Sequence, residues 1–352
     1  MLPPVFRFMA VPLRLTMLAL VVALLPAAKC FSGPVNASPG LRWWLFSNFG
    51  ASKICPELNK SGLPLKLQDG GPTVGRFFPT TCNVDVRGET QTVTVNFSGR
   101  GYAFTPVTKR ITFDASAAVE YRPDFYLGDE HIYVWGKVNR VVAAPNFQVR
   151  SVENPIAGAA AGAMGNLSNT FGNQIVAGEL TRGFTVLQNW DTDTKTFAMG
   201  IIHPPAKPRT PYNVSEDEAY TFANETIEVN YAQRDYLGPF EVVDSDQRIG
   251  MRMFNQGPAV DVMVVSKMVG DQWRNAYIEG SVGPPPGPVV AGGPLQPNVE
   301  SRPSYRVPPG VYYIVVDNTN AAGSVSPPPV NLLNPVGGPV ARISFAAQLI
   351  ED

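Results

Sequence analysis

Polar and apolar residues alternate along much of the chain, with the period of two that is typical of strands with one buried face. The alternating runs are residues 91–97, 109–113, 119–121, 131–141, 225–231, 250–254 and 259–265, and two further segments, 308–319 with its leading turn and 341–349, are predicted to contain buried strands. Clusters of turn residues at 98–101 and 127–130 are expected to separate the strands of the first half. The pattern therefore predicts meander-like antiparallel sheets rather than alternating strands and helices.

Three segments depart from this alternation. Residues 155–182 are rich in Gly and Ala, and three of their glycines recur at spacings of four and three, which places them on one helical face. We expect this helix to pack tightly on the sheet; membrane contact is the alternative, although polar residues in the segment argue against it. Four prolines in residues 203–211 predict a stiff connector. The Pro- and Gly-rich residues 282–303 predict a mobile surface loop.

These segments divide a mainly β protein into two predicted domains. An amino-terminal α+β domain, an antiparallel sheet with the Gly- and Ala-rich helix, precedes a carboxy-terminal β-sandwich or jelly roll. The predicted boundaries are a signal peptide at 1–28, a linker arm at 29–51, a β-rich domain at 52–202 with its helix near 155–182, a connector at 203–211, and a sandwich domain at 212–352 with its loop at 282–303.

The first residues have the three parts of a secretory signal. Two cations, Arg7 and Arg14, precede an uncharged apolar run at residues 15–28, in which Pro26 stands just before the small pair Ala27 and Ala28. The run is shorter than the roughly 20 apolar residues that a membrane-spanning helix needs. We therefore expect an extracytoplasmic protein, located at the outer membrane, in the periplasm or secreted.

The chain contains three cysteines, an odd number that leaves one without a partner in a secreted protein. Cys30 lies where a bacterial lipoprotein carries its acylated residue, which would leave Cys55 and Cys82 to form a disulfide. Lys29 stands where lipoprotein signals have a small residue. Signal cleavage near Ala28 without lipidation is therefore the main alternative, and three reduced thiols are another.

Two adjacent tryptophans, Trp43 and Trp44, follow the candidate anchor closely. Because tryptophan prefers the membrane–water interface, we expect this pair to rest against lipid head groups if Cys30 is acylated. The other aromatic residues, at alternating strand positions, are expected to belong to the core.

Composition narrows the classes of partner. The net charge is −1 and charged residues make up 16% of the chain, so no basic face is predicted and nucleic acid is not an expected partner. The expected partners are a membrane, reached through the amino-terminal lipid, and other envelope proteins or apolar ligands.

No catalytic or metal-binding motif stands out in the sequence. His131 and His203 are the two histidines, and we interpret them as surface or strand-edge residues because neither lies in a catalytic or ligand-spaced motif. The weak calcium candidates are Asp191, Asp193, Asp244 and Asp246. Both of these Asp-x-Asp pairs lack the rest of an EF-hand loop and are typical of turns. We expect no cofactor, and the sequence favours a non-enzymatic protein.

Two resemblances add to this interpretation. The strand AVDVMVVS followed by VPPGVYYIVVDNT resembles the pre-peptidase C-terminal type of β-sandwich, which implies a secreted module over the last third of the chain. The acids that bind calcium in some of those modules have no secure counterpart here. Separately, CPELNKSGLPLKL, GRFFPTTC, GYAFTPV and VEYRPDF resemble envelope lipoproteins of myxobacteria, a family that implies an envelope location but no activity.

Three hypotheses for function follow. The first is a non-enzymatic envelope protein that presents a surface for binding or assembly. The second is a carrier of lipid or another apolar ligand, in which sheet and helix of the first domain enclose an apolar cavity. A secreted hydrolase with an accessory sandwich is the least favoured. An enclosed apolar cavity, or lipid that co-purifies with the protein, would support the carrier, whereas a solid core would exclude it.

Overall fold

The computed structural model describes residues 28–60, 62–67, 70–105, 109–153, 182–190, 195–214, 219–328 and 339–351. The predicted signal peptide, except its last residue, lies outside the described residues. So do Asp191 and Asp193, and the predicted helix near 155–182 except residue 182.

The described chain begins with a layer of short helices. They are α1 (Ala28–Ala37), α2 (Pro39–Leu45), a π-helical turn (Phe46–Gly50), a 3-10 turn (Ala51–Lys53) and α3 (Ile54–Lys60). The prediction of an irregular arm at 29–51 is therefore wrong. Ser38 explains part of the difference, because its hydroxyl accepts a hydrogen bond from the Leu41 N–H at 3.3 Å and Pro39 follows with a helix-compatible φ.

Seven strands follow in the first half of the chain as far as it is described. They are β1 (Leu63–Lys66), β2 (Thr73–Arg87), β3 (Thr92–Thr105), β4 (Lys109–Leu127), β5 (His131–Val152), β6 (Phe184–Asn189) and β7 (Lys195–Met199). Each pairs with its neighbour in sequence in antiparallel register. The meander that the alternation predicts is therefore confirmed.

The two predicted turns of this meander have different outcomes. The turn at 127–130 is confirmed, and the Gly128 N–H donates to the His131 carbonyl at 2.9 Å. The turn at 98–101 is wrong, because these residues lie inside β3. Their glycines serve close packing: a Cβ on Gly99 would lie 2.2 Å from the Phe78 carbonyl oxygen, and one on Gly101 would lie 2.6 Å from the Phe113 ring.

The second half of the chain contains further strands and one helix. They are β8 (Ala219–Val229), β9 (Gln233–Val242), β10 (Gln247–Gln256), β11 (Val260–Ser266), α4 (Lys267–Ile278), β12 (Val289–Leu295), β13 (Glu300–Ser301), β14 (Ser304–Arg306), β15 (Gly310–Asn318) and β16 (Ala341–Glu351). The prediction of a mobile loop at 282–303 is wrong, because it includes β12 and β13 and β12 pairs with β11 along its length. Gly292 allows this pairing, since a Cβ there would lie 2.4 Å from the Val262 carbonyl oxygen.

Helix α4 is an element that the alternation did not predict. Its cap is Ser266, whose hydroxyl accepts a hydrogen bond from the Val269 N–H at 3.5 Å. Val269, Trp273 and Tyr277 stand four residues apart and are all buried. They form the apolar face by which α4 packs on β9, β11 and β15.

The described strands form two sheets. The twelve-stranded sheet has the order β13-β10-β16-β8-β2-β3-β4-β5-β6-β7, with β1 on β2 and β14 on β10, and the four-stranded sheet has the order β12-β11-β15-β9. The larger sheet joins the two halves through a short parallel contact between β2 and β8, at Thr73 and Ile227. The predicted domains therefore share one sheet, while the predicted connector at 203–211 contains no helix or strand.

Buried side chains form three clusters. One lies between β8, β10 and β16 of the large sheet and the four-stranded sheet, which is the packing of a β-sandwich. The second lies between β2–β5 and the amino-terminal helices. The third lies between the four-stranded sheet and α4, and it includes Phe78 and Tyr102 of the first half. The predicted fold class, mainly β with a sandwich in the second half, is confirmed.

Candidate apolar ligand site

A cavity of about 2100 Å³ lies between the two halves of the protein. Its described walls are the amino-terminal helices, one face of β3–β5, the strands β6 and β7 at one end of the large sheet, and β8 with β9. Aromatic rings form much of the lining, among them Phe46, Phe97, Tyr121, Phe125, Phe184 and Phe222. Pockets for drug-sized ligands are typically about 300–1,000 Å³, so this cavity has room for a larger or elongated molecule.

The period of two explains how the sheet lines this cavity. Successive side chains of a strand point to opposite faces, so residues two or four apart share one face. Tyr121 and Phe125 on β4 and Ile132 and Val134 on β5 follow this spacing, and all four line the cavity. Ile132 and Val134 are only half-buried. The wall therefore presents apolar surface that the protein itself does not cover completely.

Specific bonds hold the helical layer against the sheet at this cavity. The Arg42 guanidinium bonds both oxygens of Asp124 on β4, with Nε–Oδ1 at 2.6 Å and Nη2–Oδ2 at 3.2 Å. The Asn36 side chain both donates to the Leu127 carbonyl and accepts from the Leu127 N–H, each at 2.9 Å. These contacts tie α1 and α2 to the end of β4, so the helices form a fixed wall.

A disulfide provides a covalent tie for the same layer. Cys55 on α3 and Cys82 on β2 are bonded, with their Cα atoms 5.5 Å apart, so the predicted pairing is confirmed. The bond closes a loop with a sequence separation of 27, which in the chain-entropy model stabilises the fold by about 3–4 kcal/mol. The structure places Cys30 in α1, and its lipidation stays a prediction.

One side of the cavity has a buried charge network centred on Arg76. Its Nε and Nη2 lie 2.9 Å and 2.7 Å from the Asp235 carboxylate, and Nη2 also lies 2.8 Å from Glu225 Oε1. The Thr73 hydroxyl donates to the other Glu225 oxygen at 2.7 Å, and the Tyr102 hydroxyl donates to Asp235 at 2.8 Å. Arg76 and Glu225 both line the cavity. The guanidinium is therefore already paired with two carboxylates on the ligand side.

The protonation states of this network follow from its burial. Desolvation alone would lower the pKa of Arg76, but the Asp235 and Glu225 carboxylates outweigh it and hold that pKa above its usual value. Burial, with the Asp235 charge as the next cause, raises the pKa of Tyr102 well above its usual value. Arg76 therefore stays charged and Tyr102 stays a neutral hydrogen-bond donor at physiological pH.

The predicted membrane-interface tryptophans have different surroundings. Trp43 is half-buried and packs on the core beside Phe46, with ring centroids 6.3 Å apart. Trp44 is 52% exposed and touches the Phe49 ring edge-on, with centroids 6.0 Å apart. Within this pair, Trp44 has the larger surface available to a membrane; contact of either residue with lipid stays a prediction.

Asp244 and Asp246, the described calcium candidates, lie in the exposed turn between β9 and β10. The Gln247 side-chain oxygen accepts hydrogen bonds there from the N–H groups of Val243 at 2.9 Å and Asp244 at 3.3 Å. Among the described residues, no three His, Cys, Asp or Glu side chains lie close enough together to hold a metal ion.

The two histidines have separate settings. His131 lines the cavity at the start of β5, with Nδ1 3.7 Å from the Glu130 carboxylate. His203 is exposed and packs edge-on against Trp135, with ring centroids 5.0 Å apart. The structure therefore supports the interpretation of His203 as a surface residue, and it adds His131 to the cavity wall.

Sequence analysis did not identify the charge network. Arg76 lies in a strand between Gly75 and Phe77, and a buried charge in this apolar run was the available signal, whereas Glu225 and Asp235 have polar neighbours in sequence. Their pairing could not be read from the sequence, because 149 and 159 positions separate the partners.

Two further findings bear on the identity of the chain. Across the part of the chain that the structure describes, no helix is both long and apolar enough to cross a membrane. No protein-family model matches the sequence and no curated protein matches it, so its resemblances to envelope lipoproteins and to pre-peptidase C-terminal modules stay predictions.

Proposed function

We propose that this protein is an exported, non-enzymatic binding protein that carries a lipid or another apolar ligand in the cell envelope. The observation that carries the proposal is the cavity of about 2100 Å³ with its aromatic lining. Water in contact with such a lining is unfavourable, and an apolar ligand that replaced it would gain about 25 cal/mol for each Å² removed from water.

The polar side of the cavity limits the chemistry of the ligand. Arg76 is 1% exposed and is satisfied by two carboxylates. It is therefore not available as a partner for an anionic head group deep in the cavity. Other cations, among them Lys66, Lys207 and Arg209, also line the cavity, so an anionic head group would have to bind at these residues rather than at Arg76.

Two features support a location outside the cytoplasm. The disulfide between Cys55 and Cys82 is typical of proteins in oxidising compartments. The sequence before Cys30 has the pattern of an export signal. A lipid on Cys30 would hold the protein at a membrane, and the intact mass of the protein from its native host tests this part of the proposal. A diacyl or triacyl mass on Cys30 supports the anchor, and an unlipidated mature mass contradicts it.

The carrier role is tested by filling the cavity. Val134 lines the cavity on β5, whereas Val142 on the same strand is exposed and outside the lining. We expect Val134→Trp to lower the affinity for a fluorescent fatty acid at least about tenfold, because the new indole takes up ligand volume, while Val142→Trp leaves it within about twofold.

The same experiment includes a check on bound material. Lipid extracted from the purified wild-type protein is measured by mass spectrometry, and circular dichroism shows whether each variant folds. No bound lipid and no affinity for the fluorescent fatty acid in the folded wild-type protein would contradict the carrier role. Equal affinities of the two folded variants would place binding outside the cavity.

A further inference from the structure

Three exposed apolar side chains form a patch on the helical layer, here named the rim patch: Leu41, Trp44 and Phe49. They are 38%, 52% and 48% exposed. The π-helical turn brings Phe49 to Trp44, five residues earlier, so that their rings touch edge-on. The polar neighbours Ser47 and Asn48 bond back to the Trp44 carbonyl at 3.1 Å and 2.8 Å, which leaves the rings as the outer surface.

The exposure of the rim patch is built into the fold. Phe46 is 5% exposed and Trp43 packs beside it on the core, so the opposite side of the same helical segment is buried. Arg42 is bonded to Asp124. Arg42, Trp43 and Phe46 thereby fix the rotation of the helix. Trp44 cannot turn inward without breaking the contacts of these neighbours.

The rim patch is continuous with the cavity. Phe49 belongs to both, and Leu45 and Phe46 from the same helical segment also line the cavity. The rim patch and the proposed ligand site therefore share the Phe49 side chain and lie on the same helical segment.

The charge of this segment indicates what covers the patch. The helical layer, residues 28–60, contains four cations (Lys29, Arg42, Lys53 and Lys60) and one acid (Glu57), although the whole chain has a net charge of −1. Lys53 is exposed. Exposed aromatic residues on a segment with an excess of cations match the surface of a bilayer, where rings sit among the head groups and cations face anionic lipids.

We propose that the rim patch docks on the surface of an anionic lipid bilayer and places the cavity mouth against it. The order of the chain agrees with this, since an apolar run precedes the helical layer and the candidate anchor Cys30 lies in its first helix. Passage of ligand between bilayer and cavity rests on the proposed function. Docking itself does not, and the two are tested separately.

Quenching by brominated lipid tests the position of Trp44. Wild-type protein and Trp44→Phe are purified from the same exporting host, and intact mass establishes that they share one amino terminus. Each is mixed with vesicles of phosphatidylglycerol and brominated phosphatidylcholine. We expect the wild type to lose more tryptophan emission than Trp44→Phe, because Trp44 enters the reach of the bromine atoms. Equal losses from the two proteins would overturn the proposal.

Partitioning tests the patch as a whole. We expect Leu41→Ser combined with Trp44→Ser to lower partitioning into phosphatidylglycerol vesicles at least about tenfold. The matched control is Val141→Ser with Val142→Ser, two exposed apolar residues on β5 that should leave partitioning unchanged. Equal partitioning of the patch variant and the control would overturn docking by this surface. The proposal would also be overturned if the wild-type protein bound vesicles of pure phosphatidylcholine as strongly as vesicles of phosphatidylglycerol.

Two further measurements separate the alternatives. Sedimentation without lipid shows whether a second copy of the chain covers the patch, and a dimer that the patch variant abolishes would overturn the proposal. Affinity for the fluorescent fatty acid in solution is expected to stay within about twofold of wild type in the patch variant, since neither Leu41 nor Trp44 is part of the described cavity lining. Lost vesicle binding with retained fatty-acid affinity therefore supports docking as a separate property.

Discussion

Asp317 has a buried side-chain carboxyl group that forms hydrogen bonds with Arg234 and Thr319. The Arg234 Nε donates to it, and the Thr319 hydroxyl lies 2.9 Å from each of its oxygens. Asp317 is 1% exposed. Burial raises its pKa to about 6 against the opposing effect of Arg234, from an ordinary value of 3.8. A single residue thereby makes the stability of the fold depend on pH.

The first prediction is the direction in which the free energy of unfolding changes with pH. Between pH 3.8 and about 6 the folded protein holds a proton on Asp317 that the unfolded chain has lost. Its contribution to stability is therefore fully present below pH 3.8 and is lost as the pH rises through 6. We expect the free energy of unfolding of the wild type, relative to Asp317→Asn, to fall by up to about 3 kcal/mol between pH 3.5 and 7. Urea denaturation of both proteins across this pH range measures the change. A stability difference between wild type and Asp317→Asn that rises with pH would contradict the prediction.

At the scale of elements, the helical layer depends on a covalent bond as well as on packing. Reduction of Cys55–Cys82 frees α3 from β2, and we expect it to lower the free energy of unfolding by about 3–4 kcal/mol. Urea denaturation with and without dithiothreitol measures the change, after intact mass has shown a loss of two hydrogens in the oxidised protein. Cys30→Ser serves as the control and should respond to dithiothreitol as the wild type does. A reduced protein as stable as the oxidised one would contradict the prediction.

The elements also show what sequence patterning could predict. Period-two alternation located parts of most long strands, because burial of one face imposes it directly on the residues. It did not mark β2 or β9. It failed at 98–101, where the glycines allow close packing inside β3 rather than a turn. It failed again at 282–303, where Pro and Gly hid the pairing of β12 with β11. Helix α4 had a local signal in its Ser266 cap and its apolar residues four apart, and a search for helical spacing would have found it.

The site was less predictable than the elements. The disulfide could be predicted from the cysteine count, and an apolar cavity was one of the stated hypotheses. Its walls, however, come from strands and helices far apart in sequence, and so do Arg76 and its two carboxylate partners. Such contacts depend on how the two halves pack together, which local spacing does not encode.

At the scale of the whole molecule, the Arg76 network is one of the ties between the two halves. Arg76 lies on β2, while Glu225 and Asp235 lie on β8 and β9. The large sheet itself crosses between the halves through one short parallel contact. Tyr102 extends the tie, since its hydroxyl donates to Asp235 and accepts from the Tyr236 N–H at 2.9 Å.

Removal of Arg76 should therefore destabilise the whole protein. Arg76→Met leaves two carboxylates without their cation in a buried setting, and we expect it to lower the free energy of unfolding by about 3–5 kcal/mol. Arg302→Met is the matched control; Arg302 pairs with Glu300 at the surface, where its side chain is 70% exposed, and its loss should cost no more than about 1 kcal/mol. Urea denaturation measures all variants.

A second substitution separates charge from shape in this test. Asp235→Asn in the Arg76→Met protein removes one of the two uncompensated carboxylates while it keeps the size of the side chain, so part of the lost stability should return. If the protein instead loses stability again, the main contribution of Arg76 is packing and hydrogen bonding rather than charge. An Arg76→Met protein as stable as the Arg302→Met control would show that the sandwich core and the shared sheet hold the two halves together without the buried charges.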